Sequence, residues 1–204
     1  HPWHYYDLIN IDESEHENAD LSKKNGDFDT WQYPWRSKAH KLVWRGSANG
    51  GEMLEYNWRY FPRNKITSLA HKHPAQIDAG FSDMQVVNEW MRTNQHLLKD
   101  NFRGYMWEPD WQKYRYIGVV DGIGMSVRYA GVMLTHSVAV EQASPYYEWY
   151  YRWLEPHVHY VPFKYSMSDL VEKVKWLQAD EERAKAIAYN GSRFMQEIYR
   201  TEEV

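Results

Sequence analysis

The chain has 204 residues, of which 43% are hydrophobic and 25% are charged, and its formal net charge is -4. This length fits one compact domain, and the composition excludes the disordered and collagen-like classes. A mean hydropathy of -0.80 argues against a transmembrane helix, and the lack of cysteine excludes disulfides, thiolate metal sites and cysteine nucleophiles.

The first part of the chain is acidic and rich in turn residues. Residues 1–30 carry eight acidic side chains against two lysines. Residues 1–38 are therefore predicted to be an acidic aromatic leader or linker, and residues 39–204 a folded domain. Because the sequence begins at His1 without a signal-like segment, we expect a processed or truncated start. The rest of the chain tolerates an anionic ligand but is not basic enough to favour nucleic acid.

From residue 41, short apolar runs alternate with longer amphipathic stretches, which is typical of an α/β domain. The predicted strands are 41–44, 77–79, 114–120, 137–140 and 158–161, the last of them ending at Pro162. The predicted helices are 66–71, 84–98, 126–134, 146–153, 168–177 and 181–199. The β-turn-α order predicts a doubly wound parallel sheet with ligands at the carboxyl ends of its strands.

A glycine-rich turn follows the third predicted strand and opens a helix. It spans residues 121–128, with the sequence DGIGMSVR. Glycines allow close approach of the backbone, a helix N-terminus presents free N–H groups, and Arg128 would add a guanidinium group. The segment predicts a phosphate site, although it lacks the third glycine of the dinucleotide fingerprint. The alternative is a tight turn with Arg128 as a surface cation.

A second candidate lies where the first predicted strand ends. Arg45, Gly46 and Ser47 follow directly after Trp44, where a diphosphate would lie in a doubly wound sheet. The alternative is an ordinary strand end with a solvated arginine.

Two histidine pairs have the spacing of metal ligands. They are His71 with His73 and His157 with His159. The sequence offers no third ligand nearby, so a helix end is the favoured interpretation for the first pair. Packing and hydrogen bonding near the site are favoured for the second.

Residues 146–153 form a dense aromatic run. At helical spacing, Tyr146, Trp149, Tyr150 and Trp153 share one face, which favours core packing. The alternative is a platform for sugars.

These segments, in this order, resemble the CAP10 family of glycosyltransferases, which includes protein O-glucosyltransferases and O-xylosyltransferases. The matching motifs are YPW at 33–35, KLVWRGS at 41–47, PR at 62–63, YRYI at 114–117, DG at 121–122, SVR at 126–128, YEWYY at 147–151, LEP at 154–156, HYVP at 159–162 and NGSRF at 190–194. The resemblance covers about three quarters of the chain. It implies a GT-B enzyme with two Rossmann-like halves, of which this chain resembles the C-terminal, donor-binding half.

The resemblance also implies site residues. Arg45 and Arg63 would face the phosphates of a UDP-sugar, beside Gly46 and Ser47. The turn beneath the diphosphate would consist of Asp121, Gly122, Ser126, Val127 and Arg128. Arg59 is an alternative to Arg63, because residues 50–61 look like an insertion.

No catalytic residue can be assigned. Members of the family use an aspartate from the N-terminal half as the base, and too few residues precede Trp44 to hold that half. Asp12 resembles this base only superficially, so a missing N-terminal domain or a partner chain is expected. The resemblance implies a protein or glycan acceptor and no cofactor or metal.

A degenerate, non-catalytic relative that serves as a structural or carbohydrate-binding subunit is the alternative function. The family suggests the lumen of the endoplasmic reticulum or Golgi. The sequence Asn190-Gly191-Ser192 is a formal glycosylation sequon, but it falls in a predicted helix.

Overall fold

The computed structural model describes residues 33–84 and 88–202. Most of the predicted leader, with Asp12, lies outside these residues. The strands are β1 Ala39–Gly46, β2 Ile77–Phe81, β3 Tyr114–Val119, β4 Val138–Gln142 and β5 Val161–Phe163. The α-helices of the described residues are α1 Pro62–Lys72, α2 Glu89–Thr93, α3 Glu108–Trp111, α4 Tyr129–Met133, α5 Leu170–Gln178 and α6 Glu181–Glu202. Short 3-10 helices span Trp35–Ser37, Trp58–Tyr60, Gln95–Asn101 and Tyr151–Trp153.

The five strands form one parallel sheet in the order β2-β1-β3-β4-β5. From β1 the chain first adds β2 on one side and then returns to add β3 on the other. This reversal opens a crevice between the carboxyl ends of β1 and β3, which is where doubly wound sheets bind their ligands.

The side chains of alternate strand residues pack into two apolar layers, one on each face of the sheet. Leu42, Trp44 and Tyr116 pack on one face with side chains of α1 and α5. Val43 and Ile117 pack on the other face with side chains of α4 and the later turns of α6. Each fully buried large apolar side chain stabilises the fold by about 1.5–3 kcal/mol relative to exposure. The sheet that carries the crevice is thus fixed from both sides, as the prediction of a doubly wound fold requires.

Local features of the chain explain where several helices begin. α1 begins at Pro62, whose missing N–H would be unpaired at this position anyway. The Asn88 side chain accepts a 3.0 Å hydrogen bond from the Met91 N–H and so caps α2. Asp180 caps α6 by accepting a 3.0 Å hydrogen bond from the Arg183 N–H. In the part of the chain that the structure describes, no helix is both long and apolar enough to cross a bilayer.

Four of the predicted strands are confirmed with changed ends, but of the predicted strand 158–161 only Val161 lies in a strand, because β5 begins there. Pro162 does not end the last strand but lies inside β5. Because β5 is at the edge of the sheet, the missing N–H of Pro162 can face away from β4. The predicted helix 84–98 is only partly confirmed, because its described residues form α2 and a separate 3-10 helix.

The predicted helix 146–153 is wrong, since only a 3-10 turn at Tyr151–Trp153 forms there. Tyr150 is buried as expected, but Tyr146, Trp149 and Trp153 are between 38% and 50% exposed. Trp149 contacts Tyr150 and Trp153 edge to face, at centroid distances of 5.7 Å and 5.8 Å. The rings of Trp149, Tyr150 and Trp153 therefore pack on one another instead of sharing one buried helical face with Tyr146.

Candidate functional site

Two loops meet at the crevice of the sheet. One follows β1 and contains Ser47 and Asn49, and the other follows β3 and contains Asp121 and Gly122. β1 and β3 are hydrogen-bonded neighbours, so their carboxyl ends hold these loops side by side. Most residues predicted for donor binding are therefore brought to one edge of the sheet.

Arg63, in the first turn of α1, joins the two loops. Its Nη1 donates a 3.0 Å hydrogen bond to the carbonyl oxygen of Ser47, and its Nε donates one of 3.0 Å to the carbonyl oxygen of Asp121. The side chain is 8% exposed and its guanidinium group lies 5.7 Å from the ring centre of Trp44. Arg59, the alternative, lies exposed in a 3-10 helix and stacks on Trp58. The geometry thus favours Arg63 over Arg59.

Gly122 is fitted closely against this arginine. A Cβ atom at position 122 would lie 2.5 Å from Nη2 of Arg63 and 2.7 Å from Oδ1 of Asn49. The same Asn49 oxygen and Oδ2 of Asp121 are buried without a hydrogen-bond donor among the described residues. The crevice therefore presents two acceptor oxygens to hydroxyl groups of a ligand or to water.

Arg128 is the second cation of the crevice. Its Nη1 donates a hydrogen bond to the carbonyl oxygen of Arg45, and its guanidinium group lies 4.8 Å from the ring centre of Trp111. Burial and the positive charge of Arg128 lower the pKa of Arg63 to about 10, while Asp121 and Asp83 act in the opposite direction. Two guanidinium groups therefore repel each other here, and an anion between them would relieve that repulsion.

The side chain of Arg45 turns back along the sheet. Its Nη2 lies 2.7 Å from Oδ1 of Asp78, and its Nη1 donates to the carbonyl oxygens of Asp78 and Trp44, at 2.8 Å and 2.9 Å. The hydroxyl of Tyr114 donates a 2.8 Å hydrogen bond to the other oxygen of Asp78. Arg45 thus contributes its backbone carbonyl to the crevice, while its guanidinium group is held by Asp78. Its direct contact with phosphate stays a prediction.

The remaining predicted residues occupy the strand end and the turn. Gly46 ends β1, where a Cβ atom would lie 2.8 Å from the Trp44 indole. Ser126 is buried, whereas Val127 is 82% exposed. α4 begins only at Tyr129 and has five residues, so it is shorter than the predicted helix 126–134. The positive charge of the site comes mainly from Arg63 and Arg128, because so short a helix has a weak dipole.

Glu141, near the end of β4, was not singled out from the sequence. It is 9% exposed and lines a cavity of about 230 Å³ together with Ser144, Tyr147, Tyr151 and Tyr160. Burial raises the pKa of Glu141 to about 7; the hydroxyls of Tyr129 and Tyr151 lower it and Asp121 raises it. The Tyr129 hydroxyl, although near, has no described partner in hydrogen-bonding geometry. The signal that the sequence offered was an acidic residue within an otherwise apolar strand.

The histidine pairs have local partners. His71 hydrogen-bonds Oδ1 of Asn101 at 2.9 Å, and His73 follows the last residue of α1. Nδ1 of buried His159 accepts a 2.9 Å hydrogen bond from the Glu155 N–H, and its ring packs on Phe194. The favoured interpretations, a helix end and a packed, hydrogen-bonded histidine, are confirmed for these residues. Within residues 33–84 and 88–202, no three His, Asp or Glu side chains are grouped as metal ligands would be.

The strand order and the crevice define an α/β domain of the GT-B glycosyltransferase type, as predicted. The structure of TarM superposes with a TM-score of 0.54 at 14% identity, covering 83% of this chain and 34% of TarM. Anabaena HepE, in complex with UDP and glucose, superposes with a TM-score of 0.52 at 12% identity, covering 97% of this chain and 54% of HepE. The chain belongs to glycosyl transferase family 90, whose model matches residues 3–204.

Curated relatives agree with this assignment. Human protein O-glucosyltransferase 3 is 36% identical over 157 residues, which cover 77% of this chain and 28% of the relative. Danio rerio protein O-glucosyltransferase 2 is 32% identical over 160 residues, covering 78% of this chain and 29% of the relative. The chain therefore spans less than a third of the length of these relatives.

Proposed function

We propose that this protein is a glycosyltransferase domain that binds a UDP-sugar and serves its transfer to a hydroxyl of a protein or glycan. Family membership and the names of the curated relatives support this proposal. HepE, which shares the fold, was solved with UDP and glucose. The observation that carries the proposal is the arginine pair, Arg63 and Arg128, at the crevice between β1 and β3.

The arginine pair suits the chemistry of sugar transfer. The bond between the anomeric carbon and the diphosphate oxygen breaks, and a bond from the acceptor oxygen to the same carbon forms. UDP leaves with the electron pair, and the acceptor proton passes to a base that we do not assign. Guanidinium groups fixed before the reaction stabilise the charge that develops on the diphosphate. This role needs no metal.

The predicted residues have different roles in this proposal. Arg63 and Arg128 contact the diphosphate, and Ser47, Gly122 and Ser126 shape the space around it. We assign Arg45 a positioning role, because its guanidinium group is bonded to Asp78 while its carbonyl holds Arg128. Gly46, Asp121 and Val127 belong to the same edge of the sheet.

Two wider expectations belong to the same proposal. The binding site for the acceptor and the catalytic base are contributed by an N-terminal half or by a partner chain, since the chain covers 28% of human protein O-glucosyltransferase 3. We propose that the protein acts in the lumen of the endoplasmic reticulum or Golgi, as its resemblance to the family suggests.

Calorimetric titration with UDP tests the proposal. The wild type should bind UDP, and Arg63→Ala and Arg128→Ala should each bind it roughly 10–100-fold more weakly, as expected for lost hydrogen bonds to a charged group. Arg59→Ala is the matched control, because Arg59 is exposed outside the crevice, and it should bind like the wild type. Thermal melting establishes that each variant is folded.

Two results would contradict the proposal. A folded wild type that does not bind UDP would favour the non-catalytic subunit instead. Unchanged UDP affinity in folded Arg63→Ala and Arg128→Ala would remove the arginine pair from the site.

A further inference from the structure

Arg128, the second cation of the crevice, lies over the ring of Trp111, with its guanidinium carbon 4.8 Å from the ring centre. Trp111 is the last residue of α3 and comes before β3, whereas Arg128 follows β3 and precedes α4. The indole is 7% exposed and belongs to the apolar layer that contains Val43 and Ile117. The core of the domain therefore fixes the ring against which Arg128 lies.

An indole face suits a cation that has to bind an anion. The negative face of the π-system attracts a guanidinium group, but the ring is neutral and leaves the positive charge uncompensated. Because the N–H groups of a guanidinium lie in its plane, contact through its face does not occupy the donors along its edge. Trp111 can thus hold Arg128 without competing with an anionic ligand.

Arg45 shows the contrasting way of fixing an arginine in this domain. The carboxylate of Asp78 lies 2.7 Å from Nη2 of Arg45 and supplies a counter-charge. Backbone carbonyl oxygens of Asp78 and Trp44 accept hydrogen bonds from Nη1 of the same group. This arginine is held by partners that use its charge and its donors, whereas the ring beneath Arg128 uses neither.

Arg128 has to be held in place because it lies near another cation. Its positive charge lowers the pKa of Arg63, so the two guanidinium groups repel each other. Arg63 is fixed by hydrogen bonds to the carbonyl oxygens of Ser47 and Asp121. For Arg128, the hydrogen bond from Nη1 to the carbonyl oxygen of Arg45 fixes one end of the group, and contact with a ring face restricts its plane. A cation that is ordered before the ligand arrives loses less entropy when the ligand binds.

We propose that Trp111 is a positioning residue for Arg128, whose guanidinium group its indole face holds in the orientation that binds the diphosphate of the donor. The inference rests on the proposed donor function and adds to it a residue that acts through Arg128. The alternative is a tryptophan that only fills the apolar layer, and the test separates the two.

Calorimetric titration of the wild type, Trp111→Met and Trp111→Phe with UDP tests the inference. Trp111→Met keeps much of the apolar volume but has no ring face, so it should bind UDP about 5–30-fold more weakly, as expected for a lost cation–π contact. Trp111→Phe keeps a ring and should bind UDP within about threefold of the wild type.

Trp176→Met is the matched control. The guanidinium carbon of Arg183 lies 3.8 Å from the ring centre of Trp176, so the same kind of contact is removed. Trp176 lies near the end of α5, where Gln178 contacts His40 at the amino end of β1, opposite the crevice. This variant should bind UDP like the wild type.

A double-mutant cycle with Arg128→Ala distinguishes positioning from a structural role. Arg128→Ala has already lost the contact with the ring, so adding Trp111→Met should change its UDP affinity by less than about twofold. Any decrease in melting temperature that comes from the apolar layer should appear with and without Arg128. A purely structural role would instead weaken UDP binding equally in both backgrounds.

Several outcomes would overturn the inference. They are unchanged UDP affinity in folded Trp111→Met, equal losses in Trp111→Met and Trp111→Phe, and equal losses with and without Arg128. If Trp111→Met does not fold, Trp111→Leu takes its place with the same expectations. A wild type that bound no UDP would remove the proposed function as well. If Arg128→Ala weakened UDP binding but folded Trp111→Met did not, only the role of Trp111 would be wrong.

Discussion

Arg63 lies against Gly122 so closely that there is no room for a side chain between them: a Cβ atom at position 122 would be 2.5 Å from Nη2 of the arginine. The contact joins the start of α1 to the turn after β3. It depends on the hydrogen bonds from Arg63 to the carbonyl oxygens of Ser47 and Asp121. The position of the Arg63 guanidinium group therefore depends on the lack of a side chain at Gly122.

Gly122→Ala should therefore displace Arg63 and weaken UDP binding by tenfold or more, by the loss of at least one hydrogen bond of a charged group. Steric crowding should lower the free energy of unfolding by about 1–3 kcal/mol. Calorimetry with UDP and urea denaturation measure the two effects.

Gly124→Ala is the matched control two residues away, because a Cβ atom at position 124 has no atom within 4 Å. The UDP affinity of this variant should stay within about a factor of two of the wild-type value. Its free energy of unfolding should stay within about 0.5 kcal/mol of that of the wild type. Equal behaviour of the two alanine variants would show that crowding at Arg63 does not govern the site.

The sequence was sufficient to predict the parallel sheet and the two loops at its edge, because apolar runs and glycine turns are local signals. It did not determine the direction of Arg45, which depends on Asp78 and Tyr114 from two other strands. Glu141 was missed for a related reason. Its significance comes from burial beside Tyr151 and Asp121, which only the folded chain brings together.

The aromatic segment shows another limit of periodicity. Tyr146, Trp149 and Trp153 have helical spacing, yet they lie in a largely non-helical loop in which Trp149 and Trp153 pack edge to face on each other. Spacing predicts which residues share a face only if the helix forms, and here the segment follows Pro145 and forms only one 3-10 turn.

The pair of Arg45 and Asp78 should contribute strongly to stability. Asp78→Ala leaves the buried guanidinium group without its counter-charge, which costs about 3–5 kcal/mol for a fully buried pair. Because the Asp78 side chain is 30% exposed, water compensates in part, and we expect a loss of about 1–3 kcal/mol in urea denaturation.

Glu89→Ala is the control for this prediction. Glu89 lies 3.9 Å from Arg92 in an exposed pair, and its removal should cost less than about 0.5 kcal/mol. If Asp78→Ala cost no more than Glu89→Ala, Arg45 would not be anchored as the structure shows.

Replacing two helical glycines by alanine should have opposite effects on the stability of the protein. At Gly191 in α6 a Cβ atom would lie 2.5 Å from the carbonyl oxygen of His159, so Gly191→Ala should destabilise the protein by about 1–3 kcal/mol. At Gly131 in α4 no atom lies within 4 Å, and Gly131→Ala should stabilise it by about 0.5–1 kcal/mol. Thermal melting of the two variants decides between this expectation and a uniform effect of helix propensity, which would stabilise both.

Lys38 should make stability depend on pH. Its Nζ donates to the carbonyl oxygen of Thr135 at 2.7 Å and to Oγ of Ser137 at 2.8 Å, and burial lowers its pKa from 10.5 to about 7. Between these values the unfolded chain holds a proton that the folded chain has lost. The free energy of unfolding should therefore rise with pH, by at most about 1.4 kcal/mol per unit.

The measurement is urea denaturation of the wild type and Lys38→Met from about pH 7 to about pH 9, below the range in which tyrosines titrate. Lys38→Met removes the titrating group, so the free energy of unfolding of this variant should rise less with pH than that of the wild type. Lys99→Met, at an exposed position, is the control and should keep the wild-type slope. A wild-type slope that Lys38→Met leaves unchanged would mean that Lys38 stays protonated in the fold, with its ammonium group satisfied by Thr135 and Ser137.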